Sequence, residues 1–137
     1  MNFNVRVYSF FEHQGKILLI KEPFQGNLVT KLPGGGLEFG EGTKECLIRE
    51  FKEELNLTIE IKEHIYTLDY FLRSKRAKDE QLLFVYYKVE AEDITQLKIL
   101  VPEIQELIWI EVEKMNEDDL SLEADKSALK QFLQNQR

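Results

Sequence analysis

The 137-residue chain contains one cysteine, two histidines and three prolines. Cys46 alone cannot form an internal disulfide, and one thiol with two imidazoles is too small a set for a zinc site built from cysteine and histidine. No apolar run reaches the ~18 residues that a membrane span needs. The start, MNFNVRVYSFF, has neither the basic residues nor the small-residue cleavage site of a secretory signal. We therefore expect a cytoplasmic protein that does not enter a membrane.

The chain is also short of positive charge, since 18 basic residues stand against 25 acidic ones and the formal net charge is −7. A nucleic acid polymer is bound through lysines and arginines that neutralise phosphates, so this balance argues against such a partner. Small phosphates can still bind if metal ions lie between them and the protein. The one basic cluster, RSKRAK at 73–78, meets Asp79 and Glu80 at once and lies between two strand-like runs. We expect it to be a solvated hairpin loop.

The order of apolar patterns predicts one domain over residues 1–137, long enough to bury a core. Alternating or β-branched runs predict strands at 5–11, 16–21, 58–73, 80–90 and 106–112, and helical spacing predicts helices at 43–55 and 126–134. Thr43 is expected to cap the first helix, and Asn56 to end it in a left-handed conformation. Because two amphipathic helices must cover a larger number of strands, we expect an α+β fold with a mixed sheet and helices on its faces.

Three consecutive glycines, Gly34–Gly36, precede a helix that gathers glutamates on one side. At 100° per residue the apolar stripe of this helix consists of Leu47, Ile48, Phe51 and Leu55. Beside the stripe lie Glu50, Glu53 and Glu54, where like charges cost a few tenths of a kcal/mol per pair. One explanation is a solvated acidic face in which Arg49 bridges Glu45 and Glu53. That explanation leaves the glycines unexplained, since each carries an entropy cost on folding.

A bound divalent cation would explain the glycines and the glutamates together. Glycine lets a ligand approach the backbone closely, and the N-terminus of a helix favours nearby anions. Mg²⁺ is usually held by a few carboxylates together with waters and substrate phosphates. We therefore expect Mg²⁺, or Mn²⁺ in its place, among the glutamates, with a polyphosphate completing its coordination.

The spacing of this segment resembles the Nudix box, G-x5-E-x7-R-E-U-x-E-E-x-G-U, in which U is apolar. The matching positions are Gly35, Glu41, Arg49, Glu50, Phe51, Glu53, Glu54 and Leu57. The one departure is Asn56, which stands where the family has glycine and which tolerates the same left-handed geometry. Outside the box, LPGG at 32–35 and the strand containing Trp109 also resemble the family, although Thr30 stands where many relatives carry tryptophan. The resemblance implies a Nudix-type α/β/α sandwich with a central mixed sheet.

The resemblance also implies roles for individual residues. Glu53 and Glu54 would be the main Mg²⁺ ligands, Glu50 a further ligand or the general base, and Gly34 a carbonyl ligand. Arg49 would orient the glutamates, and Glu41 would lie close to the metal ions. Some relatives add a glutamate six residues before the tryptophan of the later strand. Glu103 stands at that distance from Trp109, with Glu80 and Glu106 as alternatives.

The activity implied by the resemblance is Mg²⁺-dependent hydrolysis of a diphosphate linkage in a nucleoside triphosphate or another nucleoside diphosphate derivative. Water would attack phosphorus after a carboxylate removes its proton. The alternative is a non-catalytic domain of the same fold that senses nucleotides, although such domains tend to lose box glutamates that this chain keeps. We expect a small-molecule nucleotide as partner, and a monomer or a homodimer.

The sequence does not specify which nucleotide is the substrate. Base recognition is expected near Tyr8, Phe10, Phe71, Tyr86 and residues 122–125, although each aromatic is also a natural core residue. Cys46 falls on the carboxylate side of the helix, where negative charge raises the pKa of a thiol, so we expect a packing role for it. His13 and His64 are expected at the surface.

Overall fold

The computed structural model describes residues 1–136, which form a mixed β-sheet between two α-helices. The strands are β1 (Asn2–His13), β2 (Lys16–Phe24), β3 (Asn27–Lys31), β4 (Gly34–Gly36), β5 (Glu60–Thr67), β6 (Glu80–Glu90) and β7 (Glu106–Glu111). The helices are α1 (Thr43–Leu55) and α2 (Glu123–Asn135), and two short 3₁₀ helices (Val112–Lys114 and Glu117–Asp119) precede α2. Across residues 1–136, no helix combines the length and the apolar character that crossing a bilayer requires.

The long strand β1 organises the sheet. It pairs in parallel with β6 along Asn2–Phe11 and in antiparallel fashion with the glycine strand β4 and with the start of β2. The strand order is β3-β2-β1-β6-β5, with β4 on β1 and β7 on β2. The mixture of parallel and antiparallel pairs confirms the predicted mixed sheet.

Side chains alternate across the sheet and divide the core between the two helices. Phe10 stacks on Phe132 of α2 with ring centroids 4.3 Å apart, whereas the next residue, Phe11, meets Phe51 of α1 edge-on at 5.6 Å. All four rings are at most 1% exposed. The helices therefore cover opposite faces, which confirms the predicted α/β/α sandwich of the α+β class.

The predicted strand at 16–21 is too short, because β2 continues to Phe24 and is joined to β3 by a two-residue turn. Gln25 and Gly26 have φ values of 50° and 84°, the geometry of a turn that suits a tight hairpin. Gln14 and Gly15, with φ values of 51° and 77°, form the turn predicted between β1 and β2.

The predicted strand at 58–73 is wrong in its second half, since β5 ends at Thr67. The chain then bends toward α2: Leu68 is buried in the core on that side, and the hydroxyl of Tyr70 lies 3.0 Å from that of Ser127. Apolar and polar residues still alternate after Thr67 because side chains of this segment pack toward α2. The segment that carries them is a loop and not a strand.

The first helix follows its prediction with two corrections. Gly42, rather than Thr43, is the N-cap residue, and the hydroxyl of Thr43 lies 2.7 Å from that of Tyr87 instead. Ile48 is 42% exposed, because the helix rests on the sheet along a narrower stripe than the wheel indicates. Asn56 is left-handed, with φ 57° and ψ 37°, as predicted.

Candidate active site

Two glycines of β4, Gly34 and Gly35, are each approached closely by a neighbour. A Cβ atom on Gly34 would lie 2.0 Å from the carbonyl oxygen of Val7, and one on Gly35 would lie 2.3 Å from the carboxyl carbon of Glu50. The strand is therefore pressed between β1 on one side and the glutamates of α1 on the other. At Gly34 only a residue without a side chain fits, because the neighbour is backbone, and at Gly35 a side chain would displace the Glu50 carboxylate.

Arg49 connects the acidic residues around this strand. Its guanidinium donates to both carboxylate oxygens of Glu41 at 2.7 and 3.0 Å, to Glu50 at 2.8 Å and to Glu53 at 3.0 Å. It also donates to the carbonyl of Gly36 at 3.0 Å. The hydrogen bonds from Arg49, with one from the backbone of Glu38, lower the pKa of Glu41 to about 2.

The predicted bridge from Arg49 to Glu53 is present, but the one to Glu45 is wrong. The carboxylate of Glu45 instead accepts the backbone N–H of Gly42 at 2.8 Å and closes the first turn of α1. Glu45 is available for that contact because Arg49 turns toward Glu41. Glu41 lies in the loop before the helix and offers Arg49 both carboxylate oxygens in a bidentate geometry.

Glu50 and Glu54 form a crowded carboxylate pair. Burial, followed by hydrogen bonding to Glu50 and the charge of Glu50, raises the pKa of Glu54 to about 8. Gly34, Glu50 and Glu54 line one narrow cleft together with apolar side chains, among them Ile104. Two carboxylates that share a partly buried space cannot both ionise without a compensating charge. We call Gly34, Glu50, Glu53 and Glu54 the glutamate site.

The donor atoms of the glutamate site are oxygens, which suit a hard divalent ion. Among residues 1–136, the carboxylate of Glu54 forms no ion pair with a lysine or an arginine. Within residues 1–136 no three acidic, histidine or cysteine side chains are already arranged around a common point. Arg49 holds Glu53 and one oxygen of Glu50. A metal ion would therefore have to compete with Arg49 for these oxygens, whereas Glu54 is free of that contact.

The three candidate loop glutamates lie in different places. Glu103 is exposed in the turn directly before Ile104, whose side chain lines the cleft of the glutamate site. Glu80 accepts a 3.4 Å hydrogen bond from Asn4 near the start of β1, and Glu106 is exposed opposite Lys21. Of the three, Glu103 thus stands nearest in sequence to a residue that lines the cleft.

Cys46 is a packing residue. It is fully buried, and its sulfur lies 3.4 Å from the carbonyl oxygen of Gly36. Burial, and then the charge of Glu41, raises the pKa of the thiol to about 12, which fits a packing role. His64 is exposed as predicted, whereas His13 is only partly exposed beside Trp109.

A second cavity, here called the basic pocket, lies between β1, the β2–β3 hairpin and the start of α2. It is lined by the charged residues Arg6, Glu22, Lys31, Arg73, Lys75, Arg76 and Glu123, and by Tyr8, Phe24, Leu72, Phe84 and Leu122 among others. The basic cluster is therefore not simply a solvated loop, because three of its cations form a wall of this pocket. Nothing in the sequence pattern indicated this pocket, since the cluster alone predicted a loop in solvent.

The residues expected at the base pocket divide between the cavity and the core. Tyr8 and residues 122–124 line the basic pocket. Phe10 and Tyr86 are fully buried in the core, and Phe71 is an exposed loop residue. Asp125 is also buried: it accepts a 2.6 Å hydrogen bond from the hydroxyl of Tyr86 and a 3.2 Å hydrogen bond from the backbone N–H of Leu32.

Known structures with this fold cover almost the whole chain. The solution structure of the Escherichia coli ORF135 protein is 23% identical and superposes with a TM-score of 0.77, covering 99% of this chain and 92% of that one. The crystal structure of a MutT NUDIX hydrolase from Burkholderia pseudomallei is 24% identical with a TM-score of 0.74, covering 94% of this chain and 97% of that one.

A curated relative is more similar but over a shorter stretch. An ADP-ribose pyrophosphatase from Methanocaldococcus jannaschii is 44% identical over 61 residues, which are 42% of this chain and 35% of that protein. The match thus spans about a third of the relative's length. The NUDIX domain family model, by contrast, matches residues 2–134. This chain therefore belongs to the NUDIX family.

Proposed function

We propose that the protein is a Nudix pyrophosphohydrolase that cleaves a diphosphate linkage in a nucleoside triphosphate or another nucleoside diphosphate derivative, with Mg²⁺ or Mn²⁺. The observation that carries the proposal is the crowded pair of Glu50 and Glu54 beside the glycine strand. Two partly buried carboxylates at one cleft, one of them with a pKa of about 8, are a poor arrangement for stability alone. They become favourable when a cation joins them.

The residues that would hold the metal are the oxygen donors of the glutamate site, with Glu103 as the loop carboxylate. When bound, a divalent ion neutralises phosphoryl oxygens and makes a coordinated water more acidic. Glu50 and Glu54 face the same cleft as Gly34, so their oxygens and the backbone there supply the hard ligands that Mg²⁺ prefers. Glu53, whose side chain is 57% exposed, would be a further ligand if it left Arg49.

The chain's own groups supply the remaining chemistry. A carboxylate, with Glu50 and Glu53 as the candidates, removes a proton from the attacking water. The bond that forms joins the water oxygen to phosphorus, and the bond that breaks is the phosphoanhydride, so two phosphorylated products leave. Arg49 fixes the direction of Glu50 through a 2.8 Å ion pair and keeps Glu41 beside the site. The substrate partner is a small nucleotide derivative, and no nucleic acid polymer is required.

The test is a product screen with nucleoside triphosphates, nucleotide sugars, ADP-ribose and dinucleoside polyphosphates, each with Mg²⁺ or Mn²⁺. Glu54→Gln and Glu53→Gln should lower kcat by roughly 100-fold or more on any substrate found, because each removes a charged ligand or base. Glu92→Gln is the matched control, since Glu92 is exposed and distant in sequence from the box.

Two results would refute the proposal. Unchanged turnover in Glu54→Gln would remove Glu54 from the metal site. Tight nucleotide binding without hydrolysis of any compound in the screen would instead identify a nucleotide-sensing domain of Nudix fold.

A further inference from the structure

The basic pocket has a charge opposite to that of the chain. Its lining includes five cations, Arg6, Lys31, Arg73, Lys75 and Arg76, and two anions, Glu22 and Glu123. The lining therefore has a formal charge of +3 in a protein whose net charge is −7. A positive cavity in an acidic protein attracts anions against the field of the remaining surface.

Most of these cations have no acidic partner within the part of the chain that the structure describes. Lys31 is paired, with its ammonium 2.6 Å from a carboxylate oxygen of Glu22. Among residues 1–136, no ion pair within 4.0 Å is made by the other four, Arg6, Arg73, Lys75 and Arg76. Unpaired like charges around one cavity repel each other, and an anionic ligand would relieve that repulsion.

The loop that carries three of these cations is held in place. The side chain of Gln25 donates a 2.8 Å hydrogen bond to the carbonyl of Lys75, and the guanidinium of Arg76 lies over the ring of Phe24 at 5.7 Å. The backbone N–H of Ser74 donates to the carbonyl of Glu80 at 2.9 Å. The side chains of Arg73, Lys75 and Arg76 are exposed at the rim, so they can meet a ligand without first being uncovered.

Part of the lining of the basic pocket is apolar. Phe24, Leu72, Leu82 and Phe84 line it. Such a wall suits a flat ring rather than a chain of phosphates, since burying apolar surface against a base or sugar is favourable and burying a phosphate there is not.

The near end of the pocket adjoins the glutamate site. A Cβ atom on Gly36 would lie 3.3 Å from a guanidinium nitrogen of Arg6, and Gly36 also accepts a hydrogen bond from Arg49. Although burial acts to lower it, the pKa of Arg6 is raised by Tyr8 and by the charges of Glu50 and Glu22. A ligand whose diphosphate lies at the glutamate site can therefore extend past Arg6 into the pocket.

We propose that the nucleoside of the substrate lies in the basic pocket and carries a second phosphate, a monoester on its ribose, which is bound by Arg73, Lys75 and Arg76. This inference rests on the proposed function and narrows its substrate class to nucleoside diphosphate derivatives with a phosphorylated ribose. The diphosphate to be cleaved and the ribose phosphate would then occupy opposite ends of one continuous site.

Binding of mononucleotides tests the inference without requiring turnover. The probes are adenosine 2′,5′-bisphosphate, adenosine 3′,5′-bisphosphate and AMP, with dissociation constants measured by calorimetry at one fixed salt concentration. At least one bisphosphate should bind about tenfold more tightly than AMP, which is the scale of one charge-assisted hydrogen bond. The isomer that binds more tightly identifies the ribose position of the phosphate.

Arg76→Gln should remove most of this preference while leaving the affinity for AMP within about twofold. Lys78→Gln is the matched control: it lies in the same exposed loop and removes the same charge, but it does not line the pocket. Equal affinities for AMP and both bisphosphates, or a preference that survives Arg76→Gln, would overturn the inference. Hydrolysis that depends on Glu54 but ignores a ribose phosphate would overturn it while the proposed function stands.

Discussion

Replacing Asp125 by asparagine should change how stability depends on pH. Asp125 is fully buried in α2, and burial raises the pKa of its carboxyl group to about 6 from an ordinary value of 3.8. The folded protein therefore holds this proton more tightly than the unfolded chain does. Between about pH 4 and pH 6, the contribution of Asp125 to stability is lost as the pH rises, because the folded state must either keep the proton or bury a charge.

The size of the effect follows from the shift in pKa. A difference of about two pKa units corresponds to about 3 kcal/mol, since one unit is worth ~1.4 kcal/mol. Asparagine does not titrate. Its side chain can still accept the hydrogen bond from Leu32, and the hydroxyl of Tyr86 can accept from its amide. The free energy of unfolding of wild type minus that of Asp125→Asn should thus fall by about 2.5 kcal/mol from pH 4 to pH 7, since a small part of the full effect is already lost at pH 4.

Urea denaturation at half-unit steps across this pH range measures the difference directly. Taking the difference cancels the titration of other groups, including Glu41. Asp79→Asn is the control, because Asp79 is exposed and its replacement should leave the pH profile parallel to that of wild type. A constant difference between wild type and Asp125→Asn would show that Asp125 is already charged in the folded protein, and the argument from burial would fail.

Three further changes have definite expected results. Gly35→Ala should abolish hydrolysis in a folded protein, because its Cβ would meet the Glu50 carboxyl at 2.3 Å. Gly36→Ala should keep measurable activity, since its Cβ would meet only a flexible Arg6 nitrogen at 3.3 Å. Equal activities of the two variants would refute the argument from close approach. Phe132→Ala should lower the free energy of unfolding by about 3 to 5 kcal/mol in a urea titration, and a loss under 1 kcal/mol would mean that the stacked ring is not part of a packed core. Cys46 should react with a disulfide reagent at pH 8 only after denaturation, and rapid labelling of the folded protein would contradict its burial and its pKa of about 12.

Local patterns predicted α1 well, but they did not predict the glycine strand β4. The box helix, its left-handed end at Asn56 and the buried Cys46 all depend on residues close together in the chain. The partners of Arg49 were harder, because Glu41 reaches it from a loop eight residues earlier and helical spacing considers only i−4 and i+4. Ile48 shows the same limit, since a helical wheel cannot tell how wide a stripe the sheet will cover.

The basic pocket could not be predicted from sequence periodicity. Its walls come from β1, β2, a loop at 73–76 and the start of α2, which meet only through the sheet topology. The sequence signal was the basic cluster itself. It predicted a solvated loop because nothing nearby in the chain indicates that Gln25 and Phe24, on the β2–β3 hairpin, hold that loop in place.

The thermal stabilisation by Mg²⁺ tests most directly whether the crowded carboxylates are a metal site. An ion that binds only the folded state raises the melting temperature as its concentration increases. Wild type should melt at a higher temperature in millimolar Mg²⁺ than in chelator, and Glu54→Gln should lose most of that increase while Glu92→Gln keeps it. No increase in wild type, or the same increase in Glu54→Gln, would contradict a divalent ion between Glu50 and Glu54.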